Sequence, residues 1–347
     1  MVAAFENLAG GRWEGKHLLY AGFGLLAALA QFQPLSQRSR DQFRSLLNNS
    51  DGLSGLTERF SHCIQLTNQV EKVIRFKDGN QTFFKMPLSE FVDSRIIQET
   101  VILGENLNDA SLYEALGEVA LSKSNMGGAV KLRCELRGGG GSTTVREFKN
   151  GQKSGRAILC IADGDRKWRG AGVGDTAKAI LEAWDRQTKL SEVNVLEVRD
   201  AENLIPLKIF DEAIDDPDQR NRISAIRDRV AGEKAEVLDW LDIKEGLTPP
   251  HVPQHEPWIS HLPWLQNHAW NWKEECRTEP VCTRRDVCKC RLIPGLGDKI
   301  LDRVLDILKI KTSAKKAELF GADYDGELAC IGDLTLAWCC GAMPSRA

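Results

Sequence analysis

Acidic residues follow two apolar runs near the middle of the sequence. Glu105 comes directly after Val101–Gly104, and Asp163-Gly164-Asp165 comes directly after Ala157–Ala162. Two aspartates at positions i and i+2 after a strand can both reach one hard cation such as Mg²⁺, which takes oxygen ligands. A glutamate at the end of a neighbouring strand can ligate the same ion or act as an acid or base. These residue types and their spacing predict a Mg²⁺ (or Mn²⁺) site.

A single Asp-x-Asp sequence is as often a solvated turn as a metal site. In this chain, however, Asp109 lies four residues after Glu105, and the glycine run Gly138–Gly141 lies between the two apolar runs. We therefore favour the metal interpretation over the solvated turn.

The stretch from Glu99 to Pro206 alternates predicted strands and helices. The predicted strands are Val101–Gly104, Val130–Leu136, Ala157–Ala162 and Val193–Val198. The predicted helices are Asp109–Ser122 with Asp109 as its N-cap, one capped by Ser142 or Thr143, and Thr176–Lys189. Such alternation predicts an α/β fold with a parallel sheet flanked by helices. The carboxyl ends of parallel strands are where ligands bind in open α/β sheets.

This arrangement resembles the TOPRIM domain of topoisomerases, bacterial primases, overcoming-lysogenization-defect nucleases and related anti-phage nucleases. The family pattern is a strand ending in Glu, an Asp shortly after, a glycine after the second strand and Asp-x-Asp after the third. Those positions are similar to Glu105, Asp109, Gly138–Gly141, and Asp163 with Asp165. Asn106 stands where many members have glycine. The resemblance covers Glu99–Pro206, less than a third of the chain.

A second stretch, Arg199-x-x-Glu202-Asn203-x-x-Pro206, is similar to a TOPRIM branch that is often paired with ATPases in phage defence. The resemblance implies a metal-dependent nuclease of DNA or RNA, tRNA included, acting as an anti-phage effector under the control of a partner protein. The sequence has no G-x-x-x-x-G-K-[ST] P-loop, so we expect any ATPase to be a separate subunit.

Each residue of the pattern has an expected role. Asp163 and Asp165 hold the metal, and Glu105 is a ligand or the general base. Asp109 binds a second metal or orients the first, and Glu202 completes the site. Arg166 or Lys167 neutralises the phosphate in the transition state. The alternative is a non-enzymatic binding or regulatory subunit, in which the acidic residues hold a structural ion.

Charge and composition set the expected partners and location. The chain has 347 residues and a net charge of −3, so nucleic-acid contacts must come from a local patch or from metal bridging. Lys273–Lys316 holds twelve Lys/Arg and seven Asp/Glu residues. We expect neither a membrane span nor a signal peptide in this sequence. The ten cysteines are spread over the chain, and since we expect no export signal, we expect them to be reduced in a cytoplasmic protein.

The flanks are predicted to be mostly helical. Residues 1–95 contain the predicted helices Leu18–Phe32 (buried), Ser36–Leu47 and Gly55–Gln69, and a hairpin of Val73–Phe76 and Thr82–Met86. Residues 96–215 form the catalytic domain, and residues 216–347 form a helical, Trp- and Cys-rich region that includes the helix Lys299–Lys309. The sequence leaves the oligomeric state open.

Two clusters in the last region have alternative interpretations. Trp258, Trp264, Trp270 and Trp272 can stack unpaired bases, although we favour their packing in a small helical core. Four cysteines are spaced C-x5-C-x5-C-x-C and can bind one zinc ion, although we favour reduced, packed thiols because the usual paired spacing is absent. These cysteines are Cys276, Cys282, Cys288 and Cys290.

Overall fold

A computed structural model describes residues 1–18, 20–187, 189–230, 232–273 and 289–344. The described chain is an α/β structure built on a parallel sheet flanked by helices. The N-terminal elements are α1 Val2–Glu14, β1 Tyr20–Ala21, α2 Phe23–Gln31, α3 Gln37–Asn48, α4 Ser50–Thr57, β2 His62–Thr67, β3 Ile74–Asp78 and β4 Gln81–Pro87.

The middle region supplies the central sheet. Its elements are β5 Thr100–Gly104, α5 Leu107–Lys123, β6 Val130–Leu132, β7 Cys134–Gly138, α6 Thr144–Ser154, β8 Ile158–Ala162, α7 Asp175–Ala183, β9 Ser191–Val195 and α8 Leu207–Ala213. The strand order is β7-β5-β8-β9, and each pair is parallel. Every residue of β5 and β8 is buried, as expected for central strands covered on both faces.

The register of the sheet brings the strand ends together. Gly104 lies opposite Gly138, and Leu103 lies opposite Cys160. The residues that follow β5 and β8 therefore emerge at the same edge of the sheet. The predicted parallel α/β arrangement of this region is confirmed.

Several predicted boundaries in the middle region are wrong. The strand predicted at Val130–Leu136 is two strands, because β6 pairs antiparallel with the C-terminal segment Cys340–Ala342 and only β7 joins the parallel sheet. The predicted strand Val193–Val198 begins and ends earlier, as β9. The predicted helix Thr176–Lys189 is the shorter α7, which ends where the backbone becomes extended at Trp184.

The predicted helix caps also differ. Asn106, not Asp109, caps α5, and its side chain accepts hydrogen bonds from the N–H groups of Asn108 and Asp109. Asp109 instead completes a capping box by accepting from the N–H of Asn106. Helix α6 starts after Thr143, whose hydroxyl donates to the Gly139 carbonyl rather than capping the helix.

The N-terminal region contains a second sheet in addition to its helices. The strand order is β1-β2-β4-β3, and β3 and β4 form the predicted antiparallel hairpin. The helix predicted at Gly55–Gln69 is wrong beyond Thr57, because β2 pairs between β1 and β4. The Gln81 side chain donates to the carbonyls of Thr57 and Phe60 and so satisfies the end of α4.

The first predicted helix of this region is shorter than expected, whereas the second has nearly the expected bounds. Leu18–Phe32 is not one buried helix, because α2 begins only at Phe23 and the Phe23 side chain is exposed. The predicted helix Ser36–Leu47 corresponds to α3, and Ser36 caps it by accepting from the Ser39 N–H.

The C-terminal region packs against the middle region of the chain. Its elements are α9 Pro217–Arg229, β10 Gly246–Leu247, α10 Trp258–Asn267, β11 Ile293–Pro294, α11 Ile300–Lys309, α12 Ser313–Phe320, α13 Gly326–Cys339 and β12 Cys340–Ala342. Helix α13 packs on α5 through two small residues: a Cβ on Gly117 would lie 2.8 Å from Thr335 Cγ2, and one on Gly332 would lie 2.8 Å from the Leu116 carbonyl oxygen. Within the described residues, no helix combines the length and the apolar character that crossing a bilayer requires.

Gly138 is a point where the backbone at the end of β7 touches the start of α5. A Cβ at this position would lie 2.6 Å from the Leu107 nitrogen, which belongs to backbone and cannot rotate away. We expect Gly138→Ala to lower the free energy of unfolding by about 1–3 kcal/mol, as overpacking typically does. Thermal unfolding checks this. Gly24→Ala, at a helical position with open space around it, is the control, and equal melting temperatures for both variants would contradict the prediction.

Candidate functional site

Glu105 stands at the carboxyl end of β5, one residue before the cap of α5. Its Oε1 is buried and has no hydrogen-bond partner among the described residues. Burial, together with the negative charges of Asp165 and Asp109, raises the pKa of Glu105 to about 7, although the backbone N–H of Asp163 donates to this carboxylate. The side chain therefore has a buried oxygen available to an incoming group.

Asp109 lies on the first turn of α5, and its side chain is almost fully buried. Burial raises its pKa to about 6, and the charge of Glu202 adds to the rise, while the hydrogen bond from the Asn106 N–H opposes it. The Asn106 N–H to Asp109 Oδ2 distance of 2.9 Å fixes the carboxylate against the turn after β5. Asp109 is thus held at the same edge as Glu105.

Asp163 and Asp165 follow β8 in a tightly built turn. The backbone N–H of Ala201 donates to Asp163 Oδ1 at 3.1 Å. Burial raises the pKa of Asp163 well above its usual range, with further contributions from four neighbouring carboxylates: Asp109, Asp200, Glu105 and Glu202. A Cβ on Gly164 would lie 2.2 Å from the Val198 carbonyl oxygen, so this position requires glycine.

Asp165 has a left-handed backbone conformation, with φ of 51°. Its N–H donates to the Arg199 carbonyl at 2.8 Å, which ties the turn after β8 to the turn after β9. A Cβ on Gly174 would lie 2.0 Å from Asp165 Oδ2. The absence of a side chain at Gly174 therefore leaves the space that the Asp165 carboxylate occupies.

The turn after β9 carries the Arg-x-x-Glu-Asn stretch. Arg199 binds Asp242 at 2.8 Å and Asp200 at 3.3 Å. The Asn203 side chain accepts from the Asp200 N–H and donates to the carbonyls of Leu238 and Leu241. Arg199 and Asn203 therefore hold the turn in place, and they leave Glu202 facing the other carboxylates.

Three residues of the site were missed by the sequence reasoning. Asp200 has a pKa raised to about 6 by burial, with a contribution from Glu202, although the charges of Arg199 and Lys244 oppose the rise. Lys244 lies 3.2 Å from Glu202, and the charges of Glu202 and Asp200 raise its pKa even though burial alone would lower it. No spacing in the sequence links Lys244 to β9, so only the fold brings it here.

Tyr113 is the third missed residue. It is completely buried on α5, and its hydroxyl has no hydrogen-bond partner among the described residues. Burial and the charges of Asp163 and Asp109 raise its pKa well above the usual range. Nothing in the sequence distinguishes Tyr113 from the apolar residues around it on α5. We call Glu105, Asp109, Asp163, Asp165, Asp200 and Glu202 the carboxylate cluster.

The predicted cationic residues lie outside the carboxylate cluster. Lys167 is exposed and forms no ion pair with a residue that the structure describes, while its carbonyl accepts from Trp258 Nε1 at 2.5 Å. Arg166 donates to the Ala171 carbonyl at 3.4 Å. Trp258 is buried, as the packing interpretation predicts. Cys276, Cys282 and Cys288 lie outside the described residues, and Cys290 is buried.

The donor set fits a hard divalent cation. All members of the carboxylate cluster except the exposed Asp165 are partly or fully buried. Burial and neighbouring negative charges raise the pKa values of four of them, Glu105, Asp109, Asp163 and Asp200, and Glu105 Oε1 has no partner among the described residues. A bound cation would offset these unfavourable interactions. Among the described residues, no three His, Cys, Asp or Glu side chains form a ready-made metal-binding group. Ligation of one cation by three of these carboxylates therefore requires rotation of their side chains.

Comparison of the chain with protein-family models, with curated proteins and with solved structures finds no match in any of the three.

Removing one charge from the carboxylate cluster should stabilise the metal-free protein. In EDTA, we expect Asp163→Asn to raise the melting temperature by about 2–4 °C, the shift that roughly 1 kcal/mol produces in a mid-sized domain. Mg²⁺ at about 100 times its dissociation constant should stabilise the wild type by about 2.7 kcal/mol and the variant much less. Thermal unfolding with and without Mg²⁺ measures both effects.

Glu114→Gln is the matched control for this experiment. Burial also raises the pKa of Glu114, but its neighbours are Cys134, Glu118 and Lys316 rather than members of the carboxylate cluster. The control should retain the full response to Mg²⁺. Identical Mg²⁺ responses in wild type and Asp163→Asn would show that the ion does not bind at this cluster.

Proposed function

We propose that this chain is a Mg²⁺- or Mn²⁺-dependent phosphodiesterase that cleaves nucleic acid. The observation that carries the proposal is the carboxylate cluster, in which side chains from the ends of β5 and β8 and the turn after β9 raise one another's pKa. When bound, the cation would polarise the scissile phosphate and offset charge on the leaving oxygen. Since phosphodiesters are anionic, the cluster alone would repel such a substrate.

The roles of the residues follow from their surroundings. Asp163 and Asp165 would hold the cation, because both leave the end of β8 on a turn that hydrogen bonds fix to the turn after β9. Glu202 and Asp109 would complete the site from the two flanking elements. Glu105 is our candidate for the proton acceptor, because its buried Oε1 has no partner among the described residues.

Lys167 would contact a substrate phosphate from the rim of the site. Its side chain is exposed and has no ion pair within the described part of the chain. The hydrogen bond from the Trp258 indole to its carbonyl fixes the backbone at this position. A positioned cation of this kind stabilises charge that develops during phosphoryl transfer.

The resemblance to TOPRIM nucleases supports a proposal for the biological role of this activity. We propose an effector of anti-phage defence that acts on DNA or RNA and is controlled by a partner such as an ATPase. The nearest approach to a P-loop, G-x-x-x-x-G-K-H at Gly10–His17, begins inside α1 rather than between a strand and a helix, and it has no Ser or Thr at its last position. ATP hydrolysis would therefore come from the partner.

One observation favours the alternative of a non-enzymatic binding or regulatory subunit. Lys244 already serves Glu202 as an internal counterion. In that case the carboxylate cluster would be a structural element held by Lys244 and Arg199, and partner binding would not depend on a metal. The cleavage assay below separates the two functions.

Cleavage should depend on the carboxylate cluster and on a divalent metal. With plasmid, single-stranded DNA and total tRNA as substrates, we expect cutting in Mg²⁺ or Mn²⁺ and none in EDTA. Glu105→Gln and Asp163→Ala should each lower the rate at least about 100-fold, while Glu114→Gln retains it. Wild-type rates in the two folded variants would contradict the assigned roles. Partner binding that survives both substitutions and EDTA, without cleavage, would favour the regulatory subunit.

Gly174→Ala tests the placement of Asp165 without removing a carboxylate. The new methyl group would lie 2.0 Å from Asp165 Oδ2 and 2.6 Å from Asp165 Cβ, so the backbone at Asp165 must shift together with its carboxylate. We expect the cleavage rate of the folded variant to fall by about tenfold or more, because small displacements of catalytic groups cost large factors in rate. Gly172→Ala is the control, because there is open space around Gly172. Equal cleavage rates in the two variants would contradict the placement of Asp165 in the site.

A further inference from the structure

Three clefts run from the carboxylate cluster across the C-terminal region. The first has a volume of about 220 Å³ and is lined by Asn106, Glu202 and Lys244, among others. Lys244 and Asp298 also line the second cleft, of about 620 Å³. Glu245 and Arg291 join the second to the third, of about 760 Å³. Shared lining residues therefore connect the carboxylate cluster to the second and third clefts, which we together call the groove.

The groove is cationic in a chain that is acidic overall. Six basic side chains and three carboxylates (Asp242, Glu245 and Asp298) line the second and third clefts, and the basic ones are Lys167, Arg199, Arg222, Lys244, Lys289 and Arg291. Arg199 and Lys244 are engaged by acidic partners. Lys167, Lys289 and Arg291 form no ion pair with any residue that the structure describes, so their charges remain available to an anionic ligand.

Aromatic surfaces lie beside these charges. Trp270 in the second cleft is 40% exposed. Its neighbour Asn271 pairs with Arg291 through two backbone hydrogen bonds of 3.0 and 2.8 Å, which fix the two segments that carry Trp270 and Arg291 at this cleft. In the third cleft, the exposed His255 stacks on Trp168 with 4.1 Å between ring centroids and 12° between planes.

The loop that carries Trp168 is tied to the region beyond it. Trp258 is buried at the start of α10 and donates its indole N–H to the Lys167 carbonyl. This contact holds Lys167 and Trp168 directly after the Asp163-Gly164-Asp165 turn and against the third cleft. The same loop therefore carries metal-binding candidates, a lysine without an ion pair among the described residues, and an aromatic ring.

We propose that this groove binds unpaired nucleotides of a nucleic-acid strand, with Trp270 and the Trp168–His255 pair as stacking surfaces for bases. The inference names the substrate class of the proposed nuclease and therefore rests on that function. Phosphates contact Lys167, Lys289 and Arg291, and bases stack on the exposed rings. A duplex offers its phosphates but hides the faces of its bases, so aromatic stacking selects single-stranded or looped segments.

Binding in EDTA isolates the groove from catalysis. Fluorescence anisotropy with labelled oligothymidine and oligouridine of about 12 nucleotides, and with a duplex of equal length, measures affinity. Trp270→Ala and His255→Ala should each weaken single-strand binding about fivefold or more. Lys289→Ala should reduce the salt dependence by about 0.7 in log–log slope. The controls, Phe23→Ala and Lys77→Ala, are exposed residues of the N-terminal region and should bind as wild type does.

The outcomes are distinguishable from failure of the proposed function. Either of two results would contradict the proposed binding groove. One is single-strand affinity that is unchanged in Trp270→Ala and His255→Ala. The other is duplex binding that is equally tight and is unaffected by both substitutions. Mg²⁺ is then added to the same mixtures. Cleavage that persists at wild-type rates in both aromatic variants would also overturn the groove but leave the nuclease intact. Ring-dependent binding without any cleavage would support the groove and count against the nuclease.

Discussion

Like charges at the carboxyl edge of the central sheet repel one another, and burial strengthens that repulsion because the protein interior screens charge less than water does. The carboxylate cluster therefore persists only because specific donors offset its charge. The Ala201 N–H serves Asp163, the Asn106 N–H serves Asp109, and Lys244 serves Glu202. Glu105 accepts the Asp163 N–H, but its Oε1 is buried without a partner among the described residues.

Those donors can act only because the backbone approaches itself closely at this edge. A Cβ on Gly104 would lie 2.8 Å from the Ala110 nitrogen, and one on Gly138 would lie 2.6 Å from the Leu107 nitrogen. Glycine at these positions lets the first turn of α5 lie directly against the ends of β5 and β7. The first turn of α5 therefore lies beside the carboxylates, where the positive end of the helix favours negative charge. The close approach of the backbone and the placement of the positive helix end beside the carboxylates therefore both depend on these two glycines.

The sequence predicted the parts of this edge that depend on local pattern. Apolar runs followed by carboxylates indicated where β5 and β8 end, and parallel pairing then implied that Glu105 and Asp163 emerge together. The bounds of β9 and α7, and the division of Val130–Leu136 into two strands, were not predictable in this way. The segment Cys340–Ala342 pairs with Val130–Leu132 across more than two hundred residues, and no local pattern encodes such a partner.

The residues of the candidate site also divide into those that a local sequence pattern predicts and those that only the tertiary fold brings together. Glu105, Asp109, Asp163, Asp165 and Glu202 belong to short stretches with recognisable spacing. Lys244 comes from a different part of the chain, and Tyr113 resembles any other apolar position of α5. Their roles depend on tertiary packing and on charges that meet only in the folded protein.

Lys244 contacts both the carboxylate cluster and the cationic groove. It lines the second cleft together with Lys289 and Arg291, and it also pairs with Glu202 inside the carboxylate cluster. A cation ligated by Glu202 would compete with Lys244 for the same carboxylate, because both interactions are electrostatic and occupy the same oxygens. Metal binding would then release the Lys244 ammonium towards the groove, where it would contact a bound anionic strand. Cation binding and substrate binding would therefore strengthen each other, although the isolated carboxylate cluster repels phosphate.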